Sequence, residues 1–219
     1  MTLKTILKEA KKELTYKEKV REEAHEDMRK ATSLSKRAIL LIHQKRMKEA
    51  KALLENARRV LLELQRLAGE HPDLIYGGMF SAALQEYSEA NIFLKLIEEN
   101  RYIDPKEVNV PPVDFILGLA DVIGEYRRLV LDVLREGSVE KGASYLENME
   151  EMYTELMAID EAYMLVPGLR RKCDVGRKII ETTRGDITQE VSRKSLEDYL
   201  RHFEQKQRRR ANPTPKRHK

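Results

Sequence analysis

PPVDFILGLADVIGEYRRLVLDVL, residues 111–134, decides the class of this chain. Its apolar residues Phe115, Ile116, Leu117, Leu119, Val122, Ile123, Leu129 and Val130 recur at helical spacing, and Gly137 follows as a stop. The segment therefore predicts a strongly apolar helix. One stripe interrupts it. Gly118, Asp121, Glu125 and Arg128 fall on a single face, so two carboxylates four residues apart sit on a helix otherwise made for packing.

On the N-terminal side the same oddity recurs. LQEYSEANIF, residues 84–93, places Glu86 and Glu89 three apart on the stripe Met79, Ala82, Glu86, Glu89, Phe93, Leu96. This belongs to a helical segment running from about Pro72 to Glu99, weakened in its first half by Gly77 and Gly78. ENRYIDPKEVNVPP, residues 99–112, reads as a loop from its prolines and lost periodicity. Farther out lie a first segment from Leu3 to Gln44, as one very long helix or two, and a second from Arg46 to Ala68, ended by Gly69 and the His71-Pro72 pair.

On the C-terminal side Ser138 is placed to cap a fifth helix reaching about Leu165 before Pro167 and Gly168. A sixth covers Leu169 to Arg184 and stops at Gly185. A seventh starts after Asp186, whose spacing to Gln189 suits a capping box. The expectation is an all-α, single-domain bundle of about seven helices over residues 1–205.

Composition agrees with one globular helical domain. Hydrophobic residues make up 41% of 219, and charged residues reach 36%, against roughly 25% in an average soluble protein. The net charge of +4 conceals an asymmetry: QKQRRRANPTPKRHK, residues 205–219, holds seven of the 41 Lys and Arg and none of the 37 acids. The rest of the chain is thus slightly acidic. Residues 206–219 read as a disordered basic tail, either a solvated end or a handle for a polyanion such as RNA. A single cysteine, Cys173, excludes an intramolecular disulfide. No signal-like start or long apolar run appears, so the expected location is cytoplasmic, without a membrane partner.

Burying four carboxylates without cations is costly. If the two acidic helices pack face to face, Glu86, Glu89, Asp121 and Glu125 converge as hard oxygen donors of the kind that Mg²⁺, or alternatively Mn²⁺, prefers. A dication there would activate water and neutralise charge on a phosphodiester. Structural ion pairing is the competing reading. A di-iron bundle site requires Glu-x-x-His on two helices, and the only match is Glu22 to His25 in a polar segment. The five His lack zinc spacing, and no Gly-rich loop resembles a nucleotide motif. RKATSLSKRAILLIHQKR, residues 29–46, combines Lys36, Arg37, Lys45 and Arg46 with an apolar stripe. It reads as an ordinary amphipathic helix or as a groove for nucleic-acid backbone.

SKRAILLIHQ, LQEYSEA, PPVDFILGLADVIGEY and KIIETTRGD together resemble the successive signature blocks of the translin family, nearer the branch of translin-associated factor X than translin itself. The blocks keep the family's order from about Ser35 to Asp186. Phe115 replaces a Tyr of that branch, and Val122-Ile123 replaces Leu-Thr. The resemblance implies a seven-helix bundle assembled into a closed octamer that encloses RNA. It also implies a Mg²⁺-dependent endoribonuclease whose catalytic acids fall on Glu86, Glu89 and Asp121, with Glu125 as a further member. The expected function is cleavage of single-stranded or partly unpaired RNA by a homo-oligomer, with Lys36, Arg37, Lys45 and Arg46 as phosphate contacts. The alternative is a non-catalytic scaffold for single-stranded RNA or DNA.

Overall fold

The computed structural model describes residues 2–159 and 163–211. They form eight α-helices and one 3₁₀ turn, with no strand among the described residues: α1 (Leu3–His43), α2 (Met47–Glu70), α3 (Pro72–Ile75), α4 (Gly78–Glu99), α5 (Pro105–Val108), α6 (Pro112–Arg135), α7 (Val139–Met157), the turn Tyr163–Leu165, and α8 (Leu169–Ala211). The fold is all-α, as the periodicity requires. Six of the helices are long; α3 and α5 are single turns.

α6 is the hub. It packs against α4, α7 and α8, while α1 lies against α2 and α4. A helix enclosed by three others needs apolar residues on most of its circumference, which residues 111–134 supply. Between α4 and α6 the contact is unusually close. A Cβ on Gly118 would sit 2.7 Å from the Gln85 carbonyl oxygen, 2.8 Å from Ser88 Cβ and 3.0 Å from the Glu89 amide nitrogen. Only the missing side chain allows the two backbones to approach at that point. A run of rings ties the layers together, with His43 5.0 Å from Phe93, Phe93 6.2 Å from Tyr126, and Tyr126 5.7 Å from Tyr145, centroid to centroid.

Several boundaries differ from the sequence expectation. α1 is one helix, ended by Lys45 in the left-handed region at φ 61°. The segment from Pro72 is split at Tyr76-Gly77, as two consecutive glycines favour. The loop 99–112 contains α5, closed by a capping box in which Asp104 and Glu107 serve each other's backbone, with Arg101 on Glu107 at 2.9 Å. Ser138 precedes α7 without a side-chain cap bond, and α7 ends at Met157 rather than near Leu165.

The largest correction is at Gly185. The expected sixth and seventh helices are one 43-residue helix. Ile180, Thr183 and Ile187 are buried on either side of the glycine. Asp186 caps nothing; it pairs with Arg127 at 2.9 Å, and Arg127 also donates to Thr183 Oγ1 at 2.8 Å. Packing on α6 and α7 outweighs the cost of about 1 kcal/mol for an interior glycine.

α8 also continues through residues 206–211 of the basic segment expected to be disordered, while 212–219 lie outside the described residues. Two helical arms leave the body. Every residue from 2 to 16 of the N-terminal arm is exposed, including Leu3, Leu7 and Leu14. The α8 arm exposes Leu196, Tyr199, Leu200 and Phe203. No helix among the described residues is long and apolar enough to cross a membrane.

Candidate functional site

The Gly118 crossing sets the middle of α4 against the middle of α6, and the four expected carboxylates gather around it. Glu89 lies deepest, at 7% exposure, and has no ion pair among the described residues. Burial first, then the nearby carboxylates of Asp121, Glu86 and Glu125, push its carboxyl up to about 9, against a smaller opposing pull from Lys172. Burial likewise raises Glu86, with Lys36 as the main opposing charge. The mutual effects place these acids in one electrostatic cluster.

Each of the other three has a partner: a lysine for Glu86 and for Asp121, and an imidazole for Glu125. Lys36 Nζ lies 3.3 Å from Glu86 Oε1, Lys172 Nζ donates to Asp121 Oδ2, and His43 Nε2 donates to Glu125 Oε2 at 2.5 Å. Arg128, the cation on the α6 stripe, is exposed and takes no part in these pairs. Asp114, also buried, is satisfied apart from the cluster by Ser81 and by Gln85 at 3.3 Å.

Lys172 and His43 were not identified as site residues by sequence reading. Lys172 comes from α8, far along the chain, and no local spacing links it to Asp121. His43 carried a faint signal, since it ends the apolar run AILLIH. Its side chain is 4% exposed, and its Nδ1 is buried without a hydrogen-bond partner.

Of the expected phosphate contacts, Lys36 reaches the cluster. Arg37 is exposed on α1, and Lys45 and Arg46 are exposed at the α1–α2 turn, where Arg46 pairs with Glu49 at 2.5 Å. Cys173 is buried.

Among the described residues no three His, Cys, Asp or Glu side chains are grouped as ligands of one ion. The outer carboxylates turn toward Lys36, Lys172 and His43 instead. The donor set nevertheless suits a hard dication: it offers four carboxylates, and the buried one is raised first by burial and then by the other three, a raising that a nearby divalent charge would oppose.

The Translin family profile matches residues 19–182. The chain belongs to the translin family. It is 34% identical over 190 residues to an uncharacterized protein of Methanocaldococcus jannaschii, covering 86% of this chain and 84% of that protein. Translin-associated protein X of Rattus norvegicus is 24% identical over 166 residues, 57% of either chain. The crystal structure of AfC3PO superposes with a TM-score of 0.74 at 34% identity, covering 85% of this chain and 97% of that one. AfC3PO also has a structure in complex with duplex RNA, which superposes equally well. The all-α architecture of this translin-family chain is thus shared with C3PO structures.

Proposed function

We propose that this chain is the catalytic subunit of a Mg²⁺-dependent endoribonuclease that assembles as a closed homo-oligomer, an octamer, and cleaves single-stranded or partly unpaired RNA. The observation that carries the reading is Glu89: a buried carboxyl with no ion pair among the described residues, raised by three further carboxylates on two helices that meet at Gly118. Family membership and the duplex RNA bound by AfC3PO support a polynucleotide as ligand.

Glu86, Glu89, Asp121 and Glu125 would hold Mg²⁺, or Mn²⁺ in its place, which supplies charge neutralisation at the phosphate and a more acidic water. Glu125 is held by His43, so its carboxylate has a fixed direction in which to accept a proton from the attacking water. Lys36, exposed beside Glu86, would meet a phosphate oxygen, and the exposed Arg37, Lys45 and Arg46 would serve as further phosphate contacts. The exposed apolar stripes of both helical arms support assembly, since patches of this kind are usually covered by a partner.

The experiment is incubation of the purified chain with end-labelled single-stranded RNA in Mg²⁺, in Mn²⁺ and in EDTA. Cleavage only with the dications is expected. Intact RNA under all three conditions would overturn the nuclease reading. A specific observation favours the second reading, a non-catalytic scaffold for single-stranded RNA or DNA: Glu86, Asp121 and Glu125 already have cationic or hydrogen-bonding partners. Retained RNA or DNA affinity without cleavage would establish it.

A further inference from the structure

Beside Asp121, α6 and α8 leave an open cleft of about 280 Å³. Asp121 and Gly124 line one wall; Arg171, Lys172 and Val175 line the other. Gly124 presents bare backbone to open space, since a Cβ there would meet nothing within 4 Å. Arg171 is exposed and has no ion pair among the described residues, while Lys172 is tied to Asp121 at the boundary between cleft and acid cluster.

The charge arrangement runs against local preference. Arg170, Arg171 and Lys172 follow directly on Leu169, the first residue of α8, and that first turn contains no acid. Cations at a helix N-terminus oppose the helix dipole. Among the described residues only Lys172 of these three has an ion pair, so Arg171 stands beside the cleft without one. Such a violation of local rules is expected where an external anion completes the arrangement.

We propose that this cleft is an RNA subsite that seats a backbone phosphate next to the one at the carboxylates. Arg171 and Lys172 donate to the phosphate oxygens, and the ribose lies against Gly124 and Val175. The inference rests on the polynucleotide reading above. It adds α8 to the substrate-binding surface and sets the direction in which the strand leaves the acid cluster, across α6 toward α8.

The test is fluorescence anisotropy with a labelled single-stranded RNA in EDTA, at several salt concentrations, so that binding is read without turnover. Arg171→Gln is expected to weaken binding roughly tenfold, as loss of a charge-assisted hydrogen bond does. It should also flatten the salt slope by about 0.7, the value of one single-strand phosphate contact. Gly124→Leu fills the cleft from a position with open space and is expected to weaken binding comparably without lowering Tm. Arg135→Gln, at the far end of α6, is the control for charge alone. Wild-type affinity in both cleft variants, or an equal loss in the control, overturns the subsite and leaves the nuclease reading standing. A wild-type chain without RNA affinity overturns both. Should Gly124→Leu melt lower, Arg171→Gln decides alone.

Discussion

Gly118 faces the Gln85 carbonyl oxygen so closely that a methyl group would sit 2.7 Å from it. That contact lies one helical turn from Asp121 on α6 and beside Glu86 and Glu89 on α4, so it sets how near the two acidic helices come.

Gly118→Ala is expected to cost about 1–3 kcal/mol in stability, the usual range for overpacking. RNA cleavage should fall as α4 and α6 move apart. Gly124→Ala, one and a half turns on with open space around it, should be neutral or stabilising by up to about 1 kcal/mol. Thermal melts of the two variants together make the comparison; equal melts would remove Gly118 from its role.

Glu89 should make the metal-free chain less stable as pH rises. With its carboxyl raised to about 9, the folded protein keeps the proton while the unfolded chain loses it in the ordinary Glu range. Stability is therefore full below that range and declines up to about pH 9, by at most about 1.4 kcal/mol per pH unit. Glu89→Gln should abolish this slope in EDTA and melt higher at pH 8. Urea denaturation between pH 5 and 9 measures it, and a parallel slope in the variant would contradict the assignment.

The acid variants should separate by partner. Glu86→Gln, Glu89→Gln and Asp121→Asn are each expected to lose most RNA cleavage, because an amide is a poor ligand for a hard dication. In EDTA their stabilities diverge. Asp121→Asn leaves Lys172, only 19% exposed, without its partner and should be destabilising. Glu86→Gln frees an exposed Lys36 and should change stability by less than about 1 kcal/mol. Full RNase activity in all three would rule out the site.

His43→Ala should lower kcat with little change in KM, since it removes the group that directs Glu125 and touches no substrate. His43→Gln, which keeps a donor, should recover part of the loss. Stability should fall by about 1–3 kcal/mol in the alanine variant, because Glu125 loses its hydrogen bond. A change confined to KM would argue instead for direct RNA contact.

The arms predict assembly. Light scattering behind a sizing column should show a discrete oligomer, and charged pairs such as Leu7→Lys with Leu14→Lys, or Leu200→Lys with Phe203→Lys, should shift it toward smaller species without loss of helicity. A monodisperse 25.6 kDa monomer of the wild-type chain at micromolar concentration would contradict the closed-oligomer proposal.

Class, most helix positions and the identity of the four acids were readable in the sequence, because helical periodicity and the incongruity of a carboxylate on an apolar stripe are local properties. Glu86 and Glu89 are one turn apart, as are Asp121 and Glu125, and any helix puts such pairs on one face. Gly118 stood on that stripe as well, but its close contact with Gln85 appears only when α4 and α6 cross. The partners of these acids were beyond local reading. Lys172 meets Asp121 from α8 and His43 meets Glu125 from the end of α1, at separations of 51 and 82 residues, where no periodicity operates. Gly185 shows the converse: a local stop signal was overridden because α6 and α7 bury Ile180, Thr183 and Ile187 on both sides of it. Sequence determined which residues could form the site; packing decided which charges they would face.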